Sequence, residues 1–225
     1  MPVNEDKTTD KAREKAREFD RIADSVFAPI YPLIAERLVA LGGLRKGRCL
    51  DIGSGGGHVG IAAAAYFEGD IILLDNNPHA LALATERLLR HPDRRGRIKT
   101  LAADVHAMPL ESASIDLVIS RGAMWFWDKE KSLREIWRVL APGGAALIGG
   151  GYGSAELKAE IYRKMSELNG EDWSVQRKRT TDNATPEDYA QTLDTLKGEF
   201  KTIEYQVIHE DSGDWLMIRK TPGAP

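Results

Sequence analysis

The chain reads as an α/β protein: a doubly wound sheet of five parallel strands, finished by a C-terminal antiparallel hairpin and preceded by N-terminal capping helices. Three observations predict this. Short, mainly apolar runs at residues 49–52, 71–74, 98–102, 115–119 and 145–148 alternate with helical stretches, as expected of strands in a parallel sheet covered on both faces. Helix-like stretches at 58–67, 78–89 and 131–140 lie between them. At the end, residues 202–209 and 214–219 alternate polar with apolar around Asp211-Ser212-Gly213, which reads as a hairpin.

The remaining elements follow from local signals. Over residues 11–41, Phe19, Ile22, Ala23, Val26, Phe27, Ile30 and Ile34 recur at helical steps, but Pro29 and Pro32 interrupt them, so two helices with a bend are expected. Gly42-Gly43 ends that run, Asn77-Pro78 starts a helix, and Ala141-Pro142-Gly143-Gly144 makes a turn. Residues 155–168 and 186–196 read as further helices separated by a polar stretch, 169–185. The domain plan is an N-terminal helical cap at 1–44 and a body at 45–225 that forms a single structural unit. Charges of both signs alternate over 7–21, as on a solvated helix face. The apolar side, with Phe19, Phe27 and Tyr31, is open to two readings, a lid over a ligand or a dimer contact.

Composition narrows the functional classes. A net charge of −3 and a pI near 6.0 give no field suited to nucleic acid, which leaves small molecules as the expected partners. Cys49, the single cysteine, excludes an intrachain disulfide framework, and His79, His91 and His209 lack metal-ligand spacing, so no metal is expected. The charged N-terminus has no signal-peptide core, and apolar runs such as 61–67 are too short to span a bilayer. A cytoplasmic chain with no membrane partner is expected, as a monomer or a homodimer.

The chemistry concentrates at residues 50–60, LDIGSGGGHVG, where a strand meets a glycine-rich loop and then a helix. Glycines let a ligand approach the backbone, and a helix N-terminus offers free N–H groups. Asp75 closes the second strand, where a carboxylate accepts both hydroxyls of a ribose; its alternative role is to cap the helix near Pro78. Gly55, Gly57 and Gly60 also satisfy G-x-G-x-x-G, so a nicotinamide dinucleotide stands as a rival ligand. Against it, Asp51 would crowd a pyrophosphate with negative charge, whereas a ligand bearing an ammonium tolerates that acid. No further catalytic domain follows the sheet. Asp104-Val105 offers an acceptor for an exocyclic amine and an N–H for a ring nitrogen.

These segments resemble the successive motifs of class I S-adenosylmethionine-dependent methyltransferases, which have a Rossmann-like fold. The matching residues are Asp51 to Gly57, Asp75, Asp104 with Met108-Pro109-Leu110, and Ser114 to Ser120. Leu133 to Gly144 is similar to the helix and turn before the fifth strand in the small-molecule "type 11" branch. The resemblance implies S-adenosylmethionine as cofactor, with Gly53, Ser54, Gly55 and Gly57 along its methionine and ribose portion. It further implies Asp75 with Asn76 at the ribose, Asp104 with Val105 at the adenine, Asp51 orienting the amino group, and Ser120 with Arg121 facing the methyl.

Where many relatives of that branch carry histidines after the fourth strand, this chain has Arg121 to Asp128 with Trp125, Phe126 and Trp127. The aromatic cluster suits an apolar or cationic substrate, or else packs against Trp137. Gly149 to Gly153 either lets a substrate reach the backbone, with Tyr152 as a donor, or simply joins strand to helix. Arg121, Trp125 and Tyr152 are thus candidates for positioning a substrate. Either His58 or His106 is a candidate general base, but neither has an evident orienting carboxylate in sequence, so solvent-facing or cofactor-packing roles are expected. The expected activity is in-line methyl transfer to a small molecule; a non-catalytic cofactor-binding sensor or partner subunit, and an NAD(P)-dependent oxidoreductase, stand as alternatives.

Overall fold

A computed structural model describes residues 5–181, 184–200 and 202–222, with side chains from residue 10 onward. Residues 182–183 of the polar stretch lie outside the described residues, as do the side chains at the start of the charged N-terminal run.

Helix α1 (Glu5–Ile22) continues into a π-helical turn (Ala23–Phe27), and α2 (Ile30–Gly42) follows. The bend of 85° falls at Pro29, the N-cap of α2. Pro32 sits inside the first turn of α2, where a missing N–H leaves no hydrogen bond unmade, so it interrupts nothing. Gly43 then ends α2 in the left-handed region at φ 69°, its N–H bonding back to Val39 and Ala40. Ile30, Ala35 and Leu38 of α2 are wholly buried, which makes this helix part of the main core.

The body runs β1 (Lys46–Ile52), α3 (His58–Ala63), β2 (Glu68–Asp75), α4 (Pro78–Leu89), the short α5 (Pro92–Arg95), β3 (Ile98–Ala102), β4 (Ile115–Arg121), α6 (Lys129–Val139) and β5 (Leu140–Gly151). It closes with α7 (Ala155–Asn169), α8 (Trp173–Thr181), α9 (Pro186–Leu196), β6 (Ile203–Glu210) and β7 (Gly213–Lys220). The seven strands lie in the order β3-β2-β1-β4-β5-β7-β6. Strands β1 to β5 are parallel, and β7 runs antiparallel to both β5 and β6.

Alternate strand residues feed two hydrophobic layers. Cys49, Leu117 and Leu147 point toward α2, α3, α4 and α7, whereas Leu50, Val118 and Ile148 point toward α6 and α9. Winding reverses between β1 and β4, and ligands of such sheets bind where the strand ends part at that reversal.

Three elements differ from expectation. Helix α3 stops at Ala63, whose carbonyl accepts from both Tyr66 and Phe67 as Phe67 turns into the core. The polar stretch contains α8, which has no buried residues and hence no apolar stripe to read. Strand β5 extends through the glycine run, with Gly149 opposite Trp215 and Gly150 opposite Asp214. A Cβ at Gly149 would lie 2.3 Å from the Asp214 carbonyl, and one at Gly150 would lie 2.5 Å from the Trp125 ring. The run therefore continues the sheet while making room for two tryptophans.

No single helix among the described residues is long and apolar enough to cross a membrane.

Candidate functional site

The C-terminal ends of β1 and β2 carry the first part of the site. After Ile52 the chain turns sharply, with the N–H groups of Gly53 and Ser54 both donating to the Leu74 carbonyl at 2.8 and 3.0 Å. Gly53 has φ +68°, and a Cβ there would sit 2.4 Å from that of Ala123, so this position requires glycine twice over. A Cβ on Gly55 would meet nothing within 4 Å, which leaves the backbone there open to a ligand.

Asp75 stabilises the loop. One carboxylate oxygen accepts the Gly55 N–H and the other the Asn77 N–H, each at 2.8 Å. It does not cap α4: Asn77 is the N-cap, its side chain accepting the His79 N–H at 3.0 Å, with Pro78 in the first turn. Each Asp75 oxygen keeps a lone pair for a further donor.

Asp51, below the loop, is 2% exposed and accepts the Gly60 N–H at 2.9 Å. Burial pushes its carboxyl up to about 7; the Gly60 hydrogen bond opposes this and the neighbouring Asp75 charge adds to it. Helix α3 approaches β1 and β2 so closely that a Cβ on Gly60 would lie 2.3 Å from the Leu73 side chain. The third glycine of G-x-G-x-x-G thus packs helix against strand.

A cavity of about 520 Å³ opens over these strand ends. Gly53, Gly55, Asp75, Asn76, Asp104 and Val105 line it. Among the other expected residues, Asp51, Ser54, Gly57 and Ser120 lie behind the wall: Asp51 and Ser120 are buried, and the Ser120 hydroxyl donates to the Ile52 carbonyl at 2.7 Å. Ser54 Oγ is buried with no hydrogen-bond partner among the described residues, as is one oxygen of Asp20. Helix α1 closes one side with Ala16, Phe19 and Asp20, and Phe19 stays 70% exposed.

The clamp holding α1 there was not foreseen from the sequence. Arg87 of α4 pairs with Asp20 at 3.0 Å and Asp24 at 2.9 Å, and its guanidinium also donates to the Gly56 carbonyl. His58 bonds Asp24 at 2.9 Å and stacks on Tyr31 with centroids 4.6 Å apart. Burial would raise the Asp24 carboxyl, but the His58 and Arg87 contacts outweigh it and hold it below its ordinary value. Burial likewise disfavours the charged form of His58, and Arg87 adds to that effect. The only sequence signal was the four-residue spacing of Asp20 and Asp24 on one helix face.

Both histidines prove to have acidic partners. His106 lines the cavity with Nδ1 2.7 Å from Asp104, while its Nε2 accepts the Asp128 N–H at 2.9 Å. The second contact makes Nδ1 the protonated nitrogen, so both are engaged in holding the loops together.

Beyond the cavity, the Arg121 guanidinium lies 5.0 Å from the Phe27 centroid and 5.5 Å from that of Tyr152. Trp125 lines a second cavity of about 290 Å³ with Tyr152 and Tyr162. Its ring face is already covered by the Arg177 guanidinium, 4.1 Å from the centroid, which leaves that face no room for a cationic substrate. Trp137 stacks on Phe200 at 5.0 Å.

A methyltransferase-domain family model matches residues 45–207 of the chain. A provisionally assigned S-adenosylmethionine-dependent methyltransferase of Methanococcus maripaludis is 33% identical, superposes with a TM-score of 0.82, and each chain covers 94% of the other. A methyltransferase of Aquifex aeolicus, 14% identical with a TM-score of 0.63, covering 93% of this chain and 98% of its own, shares the fold. The ubiquinone/menaquinone biosynthesis C-methyltransferase UbiE of Marinomonas sp. is 29% identical over 153 residues, which is 66% of this chain. The chain spans 61% of that relative's length. On its motifs, its strand order and these matches, the chain belongs to the class I S-adenosylmethionine-dependent methyltransferase family.

Proposed function

We propose that the chain methylates a small-molecule acceptor with S-adenosylmethionine held in the 520 Å³ cavity. The observation that carries this reading is the convergence of the open Gly55 backbone, Asp75, and Asp104 with Val105 on one cavity at the sheet's reversal point. The residues fit that cofactor. One oxygen of Asp20, on the cavity wall, is buried with no hydrogen-bond partner among the described residues, as expected where a polar ligand completes the hydrogen bonding. The volume falls within the range of small-molecule sites.

In this reading Asp75 takes the ribose hydroxyls on its free lone pairs, with Asn76 beside it. Asp104 accepts from the exocyclic amine, Val105 presents its N–H to the ring, and Gly53 to Gly57 pass under the methionine portion. Asp51 and Asp20 supply negative potential for the ammonium. When bound, the cofactor supplies a sulfonium methyl as electrophile. The protein's task is to hold an acceptor atom against that methyl and to exclude water. Helix α1 serves the second need by walling the cavity with Ala16 and Phe19. Arg121, Trp125 and Tyr152 serve the first, from the ends of β4 and β5.

The likeness to UbiE relatives supports a small acceptor, as does a net charge of −3. The test is turnover across a panel of metabolites, read as release of S-adenosylhomocysteine. Methylation of at least one acceptor is expected; cofactor binding without turnover of any would instead mark a sensor or partner subunit.

A further inference from the structure

Most arginines folded into this molecule are fully engaged. Arg97 donates to the carbonyls of Ala64, Phe67 and Gly69, and Arg219 to those of Leu41 and Gly42. Arg87 has its carboxylates, and Arg138 has Glu135 and two carbonyls. Arg121 differs. Its Nε donates to the Gly151 carbonyl at 3.2 Å, but its two terminal nitrogens have no acceptor and no carboxylate within ion-pairing distance among the described residues. Arg121 is half-buried. A guanidinium offers five N–H donors, and leaving most of them unmet on a side chain enclosed by Phe27 and Tyr152 is costly unless a ligand meets them.

A second cation stands nearby. Arg177 of α8 lies over Trp125 and lines the 290 Å³ cavity, again with no carboxylate partner among the described residues. Tyr152, whose ring lies 5.5 Å from the Arg121 guanidinium, lines that cavity together with Arg177. Burial lowers the pKa of Arg121, Tyr31 and Tyr152 oppose this, and the charge of Arg177 adds to it. Hydroxyls surround the pair. Burial pushes Tyr31 and Tyr162 up to about 12, which keeps both as neutral donors. The cavity's acids, Glu187 and Asp214, both face His209, at 3.4 and 3.0 Å, and its Lys158 donates to the Asp211 carbonyl. In a chain of net charge −3, this is a local and specific excess of positive charge.

We propose that Arg121 and Arg177 form an anion subsite, and that the methyl acceptor carries a carboxylate or phosphate group joined to an apolar body. This assigns a substrate class within the methyltransferase reading and rests on it for the word acceptor. The anion subsite itself is testable apart.

The probes are benzoate and phenyl phosphate, with benzamide as the uncharged match for benzoate, titrated into the full chain by NMR and calorimetry with and without S-adenosylhomocysteine. At least one anion is expected to bind about tenfold or more tightly than benzamide, with affinity falling as salt rises. Which anion binds better separates the carboxylate from the phosphate. Arg121→Gln and Arg177→Gln are each expected to remove about tenfold of that preference, and in Arg177→Gln the S-adenosylhomocysteine affinity stays unchanged. Arg177 lies on a helix with no buried residues, so its variant folds even where Arg121→Gln does not. Benzamide binding as tightly as both anions, no binding of any probe, or anion affinity untouched in a folded Arg177→Gln chain would overturn the subsite. Failure of S-adenosylhomocysteine to bind would instead overturn the methyltransferase reading, leaving the anion titration to decide the subsite by itself.

Discussion

Asp75 and Asp51 are two carboxylates on neighbouring strands that face opposite demands. Asp75 sits at the cavity wall, accepts two backbone N–H groups, and still has lone pairs to offer. Asp51 is buried behind it with one backbone donor, and its carboxyl is pushed up to about 7. A carboxyl raised on folding stabilises the native state fully below its unfolded value near 3.8, and that contribution is lost as pH rises through about 7. The unliganded wild type should therefore lose stability relative to Asp51→Asn across that window, by up to about 4 kcal/mol. Urea unfolding of both proteins from pH 4 to pH 8 measures it; parallel pH profiles would contradict the assignment. Asp75 was legible in sequence because a strand-ending acid after a glycine loop has few uses, and its rival use as a cap falls to Asn77. The environment of Asp51 was not legible, because burial depends on how closely Gly60 brings α3 to the sheet.

At the scale of elements, strands were read more surely than helices. Short, mainly apolar runs mark a sheet covered on both faces, and all five parallel strands lie where such runs occur. Helix α8 escaped because it buries nothing, and β5 ran past its expected end because glycines carry no hydropathy pattern. The seating of α1 was invisible for another reason: its partners Arg87 and His58 lie 63 and 34 residues away from Asp24. That clamp makes α1 a wall of the site. Arg87→Gln should lower stability by about 2 kcal/mol, the partial exposure of Asp24 keeping the loss below that of a fully buried pair. Hydrogen exchange should quicken in α1 and the turn at Ala23–Phe27 while β1 and β4 stay protected. Equal acceleration throughout the sheet would mean that the clamp belongs to the global core.

For the whole molecule, the order β3-β2-β1-β4-β5-β7-β6 places the glycine loop, Asp75, Asp104 and Arg121 at one edge of the sheet, although they span 68 residues of sequence between Gly53 and Arg121. Order along the chain made that grouping legible through the family motifs. The second cavity was not, because it is built from α7, α8 and the hairpin, which those motifs do not cover. One cavity holding one cofactor is the central expectation. Isothermal titration of S-adenosylmethionine into the wild type and into Asp75→Ala tests it most directly. One site per chain is predicted, with affinity reduced about tenfold or more in the variant at unchanged melting temperature. Absence of binding to the folded wild type, or equal affinity in the two proteins, would contradict it.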